Sequence, residues 1–126
     1  MHLLKFDPNV AIIIVSGKVK ASVATIVRFV VDTGASMVVL PWKLTTAIGI
    51  TIDPSKTIQT TTATTVETVP EIIIPEMSVL GKTVKNVEAI VKDLPPETTV
   101  DGLLGLSFLR NFKLSIDFKK GELKLD

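Results

Sequence analysis

Most of the side chains that carry hydrolytic chemistry are missing from this sequence. It has no cysteine and one histidine, His2 at the very start. That composition excludes disulfides, thiolate metal sites, a cysteine nucleophile, a His-rich zinc site and the usual histidine-activated serine. Chemistry falls to Asp, Glu, Lys, Ser and Thr. Among these, Asp32 is placed unusually: it follows the apolar run Phe29-Val30-Val31 and precedes Thr33-Gly34-Ala35-Ser36. Burial at the end of an apolar strand raises a carboxyl pKa, and donors in a tight turn lower it again, so such a position tunes protonation. Thr33 offers a hydroxyl, and Gly34 offers a backbone without a Cβ. Taken alone, the triplet is also what an ordinary β turn produces.

The elements around it read as β structure. Ile, Val and Thr dominate and Tyr is absent, and β-branched side chains suit a pleated surface. The length, 126 residues, fits a single domain spanning 1–126. A strand is expected over 9–20 with a turn or bulge at Ser16-Gly17, and another over 23–31 leading into Asp32. Pro41 starts a short helix that Gly49 stops. The Thr-rich stretch 51–68 reads as an exposed hairpin with its tip at 61–65, and no glycine lies at that tip. Strands over 71–75 and 77–91 follow, separated at Pro75-Glu76 and turned at Gly81-Lys82. Residues 101–109 begin as a buried strand and become a short helix. A terminal hairpin closes the chain, its last strand joining either an intersubunit sheet or its own subunit's sheet. Trp42 is read as an anchor for the first helix in preference to a site residue.

A second element, Leu103-Leu104-Gly105, lies some seventy residues beyond Asp32. The order of an Asp-Thr-Gly loop after an apolar strand, a hairpin, and an apolar-apolar-Gly strand leading into a helix resembles the retropepsin-like aspartic peptidases. The resemblance covers the chain from about residue 9 to its end. It implies an all-β retropepsin-like acid protease fold, a closed or partly open barrel with a flap hairpin and one short C-terminal helix. It also implies that Asp32 is the catalytic carboxylate, that Thr33 locks two active loops across a dimer axis, and that Gly34 shapes the turn. Ala35, Ser36 and Leu103, with Thr62, Ala63 and Thr64 of the flap, would contact substrate. Retroviral members carry an acid where Ser36 stands and an Arg where Leu106 stands. Losing both halves of that pair points to a cellular or prokaryotic type.

Aspartic peptidases need two carboxylates sharing one proton. Asp53, Asp93, Asp101 and Asp117 lack a following Thr-Gly or Ser-Gly, so the second is expected from Asp32 of a symmetry-related copy in a C2 homodimer. The expected function is an aspartic endopeptidase acting on extended polypeptides, without cofactor or metal. The alternative is a catalytically inactive dimerisation or peptide-binding module of the same fold, for which the glycine-free flap argues. A net charge of +1 gives no field to hold nucleic acid or an anionic membrane. No apolar run approaches the roughly 18–20 residues of a membrane span. The N-terminal residues lack the pattern of a secretory signal, so a cytoplasmic location is expected.

Overall fold

The computed structural model describes residues 2–61 and 64–126. In chain order these form β1 (Leu3–Lys5), β2 (Ile14–Lys20), β3 (Ala24–Val31), β4 (Val38–Leu40), α1 (Trp42–Ala47), β5 (Thr57–Thr61), β6 (Val66–Val79), β7 (Lys82–Val91), β8 (Gly102–Leu104), α2 (Leu106–Leu109), β9 (Leu114–Asp117) and β10 (Glu122–Leu125). Neighbouring strands run β2-β3-β8-β4-β7-β6, and β6 pairs back onto β2, closing a six-stranded barrel. The expected all-β architecture, a closed barrel with a hairpin extending from it, is what the chain adopts. None of the helices among the described residues is long and apolar enough to cross a membrane.

Alternation decides which side chains fill the barrel. On β2, Val15, Gly17 and Val19 are buried while Ser16, Lys18 and Lys20 are exposed, and on β3 Val27 and Phe29 point inward. No turn or bulge occurs at Ser16-Gly17: the ladder runs unbroken from Ile14↔Val30 to Lys20↔Ala24. Glycine is there for packing. A Cβ on Gly17 would stand 2.9 Å from the Phe29 ring and 3.1 Å from Val79. Phe29, Phe108, Leu40, Ile48, Ile74, Met77 and Leu104 are the largest fully buried side chains, each stabilising the fold by roughly 1.5–3 kcal/mol.

Strand β6 is a single element of 14 residues, where the sequence suggested a break at Pro75. The ladder with β7 skips only the Pro75 position, passing from Ile74↔Val87 to Glu76↔Lys85. Opposite the skipped position Asn86 adopts φ 57°, so the missing proline N–H is absorbed by a local kink without ending the strand. The length of β6 lets it serve two partners. Its first part pairs with β5 as the expected hairpin, and its second part is wall of the barrel. Of the hairpin tip expected at 61–65, Thr62 and Ala63 lie outside the described residues.

The terminal segments form a separate sheet, β1-β10-β9. Strand β10 lies in its middle, hydrogen-bonded to β1 on one edge and β9 on the other. Of the two destinations open to it in the sequence, the last strand therefore takes its own subunit's sheet.

Candidate active site

Parallel pairing of β3 with β8 sets Phe29 against Gly102, Val30 against Leu103 and Val31 against Leu104. On its other side β8 meets β4 through Val39↔Leu103. Strand β8 is thus threaded between the strand that enters the Asp32 loop and the strand that leaves it. This threading requires glycines at close approaches. A Cβ on Gly102 would strike the Val39 carbonyl, and one on Gly105 would strike the Met37 carbonyl and lie 2.8 Å from that of Ala35.

The loop itself is held from within and from behind. Asp32 N–H donates to the Leu104 carbonyl (3.1 Å), and Ala35 N–H donates to the Asp32 carbonyl (3.2 Å). Gly34 N–H donates to Asp32 Oδ1 (2.9 Å), fixing the carboxylate's orientation. Behind the loop stands α2. The first amides of a helix have no partner inside it, and here Leu106 N–H donates to the Ala35 carbonyl (2.8 Å) and Ser107 N–H to the Ser36 carbonyl (3.0 Å). The Ser107 hydroxyl adds a bridge, accepting from Val38 N–H (2.9 Å) and donating to the Glu88 carbonyl (2.6 Å) on β7. Ser107 is a positioning residue that sequence reading missed. Its only signal was a hydroxyl in an otherwise apolar helix.

A cleft of about 330 Å³ opens in front of Asp32. Asp32 is half-buried in the single chain and Thr33 is exposed. Gly34, Ala35, Ser36 and Leu103 all line the cleft with Asp32, so these sequence-expected residues are brought together. On the flap side the described lining is Ile58, Gln59, Thr60 and Thr61. Thr64 is exposed and lies outside that lining, at the bend of the hairpin beyond β5. Thr62 and Ala63 are outside the described residues.

The floor is a small apolar cluster separate from the main core, in which Val39, Val69 and Ile90 are buried and Met37, Ile58 and Leu103 are partly open. Sequence reading found only Leu103 of these, because the residues that converge here, from Met37 to Leu103, lie more than sixty positions apart in the chain. Lys92 also lines the cleft, and its Nζ lies 2.7 Å from Glu67 Oε2 on β6, tying the hairpin, near its tip end, to the end of β7. Two other residues are placed outside the site. Asp101 is structural, its Oδ2 accepting from Arg28 N–H at 2.9 Å. Trp42 is 45% exposed and does not anchor its helix through burial; its N–H is held by Asp93 Oδ1 (2.9 Å). No group of acids or histidines that could hold a metal occurs among the described residues.

A family model described as aspartyl protease matches residues 15–108, a span that includes the Asp32 loop, the flap hairpin and the β8–α2 junction. No curated protein matches the chain. Among solved structures, a retropepsin-like aspartic protease from Rickettsia conorii superposes with a TM-score of 0.69 at 26% identity, covering 98% of this chain and 87% of that one. The match takes in the threaded strand and its two glycine approaches as well as the loop, and on these grounds the chain belongs to the aspartyl protease family, in its retropepsin-like form.

Proposed function

We propose that the protein is an aspartic endopeptidase that works as a C2 homodimer and hydrolyses peptide bonds in extended polypeptides. The observation that carries this reading is a single Asp32-Thr33-Gly34 loop, its carboxylate oriented by Gly34 and facing a cleft covered by a hairpin. A second copy supplies the other Asp32. With about 3 Å between the carboxyl groups, the pair holds one proton. The ionised member takes a proton from a water as that water attacks the scissile carbonyl carbon, while the protonated member gives its proton to the carbonyl oxygen. Collapse of the tetrahedral intermediate breaks the C–N bond as a proton passes to the leaving amine. Thr33, exposed beside Asp32, would lock the two loops together.

Substrate would lie as an added strand between the flap and the loop, held through its main chain. Ala35 and Ser36 would flank it from below, with the flap tip from above. The apolar floor of Met37, Val39, Ile58 and Leu103 suits apolar side chains on either side of the cut.

The test is cleavage of casein across pH 3–7 by the wild type and Asp32→Asn, at a concentration where the dimer is confirmed. Activity favouring acid, because two adjacent carboxylates must share a proton, and lost in the variant supports the reading. A confirmed wild-type dimer with no activity refutes it and leaves a peptide-binding module of the same fold.

A further inference from the structure

We propose that the apolar loop carrying Val10 and Ile12 is a subunit contact, packing against a second copy of this chain beside the paired Asp32 loops. The inference rests on the dimeric reading above and deepens it.

Val10 and Ile12 are 48% and 47% exposed, an unfavourable state for two aliphatic side chains separated by one residue. Their position gives the exposure meaning. The β2–β3 ladder ends at Ile14↔Val30, and one further bond, Val31 N–H to the Ile13 carbonyl at 2.9 Å, carries the pairing outward. The next residue on one side is Ile12, and the next on the other is Asp32. Neighbouring strands lie about 4.8 Å apart. A partner carboxylate within about 3 Å of Asp32 therefore brings the partner's surface within a side chain's length of Ile12.

Two further observations narrow the occupant to a second copy. A twofold contact sets the same patch against itself, so a charged patch would repel itself. Residues 8–13 and 33–40 contain no ionisable side chain, so the two segments bordering Asp32 carry no charge that would repel their own copies. Within one chain both edges of the C-terminal strand are already paired, by β1 and β9, so a second copy meets that sheet only at its outer strands. The uncharged, aliphatic margin of the Asp32 loop is where pairing of the two loops requires closeness.

The test compares two exposed aliphatic residues at opposite ends of the same hairpin. Val23 is 54% exposed and immediately precedes β3, so it lies about 30 Å from Asp32 at roughly 3.3 Å per residue. Ile12→Glu is expected to weaken the dimer at least about 100-fold in sedimentation, because each dimer would bury two unpaired carboxylates. Val23→Glu should leave dimerisation and casein cleavage unchanged. A milder probe covers the case in which Ile12→Glu misfolds. The natural chain has no cysteine, so Ile12→Cys introduces a unique thiol whose alkylation by iodoacetamide should slow as protein concentration rises through the dimerisation range. The thiol of Val23→Cys should react at one rate throughout. Wild-type-like dimerisation of a folded Ile12→Glu, or a concentration-independent rate for Ile12→Cys, overturns the assignment while leaving the dimeric peptidase standing. A wild type that stays monomeric at every concentration overturns both.

Discussion

Replacing Ser107 with alanine should loosen the Asp32 loop without touching any residue that faces the cleft. The Ser107 hydroxyl accepts from Val38 N–H and donates to the Glu88 carbonyl. Val38 is fully buried, so in Ser107→Ala its N–H loses its hydrogen-bond partner. An unsatisfied buried donor costs about 1–3 kcal/mol and the second lost bond about 0.5–1.5 kcal/mol. The expected destabilisation is about 1.5–4.5 kcal/mol. For a domain of this size about 4 °C of Tm accompanies each kcal/mol, so Tm should fall by roughly 6–18 °C. Urea denaturation at one fixed protein concentration measures this, since dimerisation contributes to apparent stability. Ser36→Ala is the matched control, because Ser36 is tied to α2 through its carbonyl and its side chain is exposed; it should change stability by less than about 0.5 kcal/mol. Among the folded molecules, kcat for peptide cleavage should drop more than KM rises, as the displaced segment runs directly from Ser36 to β4 behind Asp32. A Ser107→Ala variant within about 0.5 kcal/mol of wild type would show that the bridge does not hold the loop.

Other substitutions probe the remaining joints. Gly105→Ala should be more damaging than a glycine-to-alanine change in an open loop, by on the order of 1–3 kcal/mol or more, since the added Cβ meets backbone carbonyls of Met37 and Ala35 that cannot swing away; thermal unfolding reads this. Lys92→Met breaks the pair with Glu67 across partly exposed side chains, so global stability should move by under about 1 kcal/mol, while KM for peptides should change because Lys92 lines the cleft. Asp53 is held below its ordinary value of 3.8, first by the Ser55 hydroxyl and then by the Ser55 N–H. A depressed carboxyl contributes stability that is present above the unfolded value and lost as pH falls through the folded one, so this contribution disappears only at the acid end of the activity range. NMR titration of Ser55→Ala should show the Asp53 value moving upward, and no movement would refute the hydroxyl's part.

What the sequence determined by itself was local or nearly so. An apolar strand ending in Asp32-Thr33-Gly34, a proline-started helix, and alternating Val and Ile with exposed Lys and Ser between them are read from neighbouring residues, because side chains alternate along a strand with period two. Leu103-Leu104-Gly105 was legible as a motif, but its reason was not. Only the tertiary structure explains Gly105, since the clash it avoids is with carbonyls some seventy residues away. The same holds for Gly17, which looked like a turn and proved to be a seat for the Phe29 ring. Pro75 misled for the complementary reason: the strand it seemed to break survives because Asn86 on the neighbouring strand absorbs the mismatch. The cleft floor and the Ser107 bridge could not be read at all, because they exist only where β4, β5, β7 and α2 converge. Sequence alone identified the carboxylate and its turn; folding decided which distant hydroxyls, carbonyls and aliphatic side chains hold it in place.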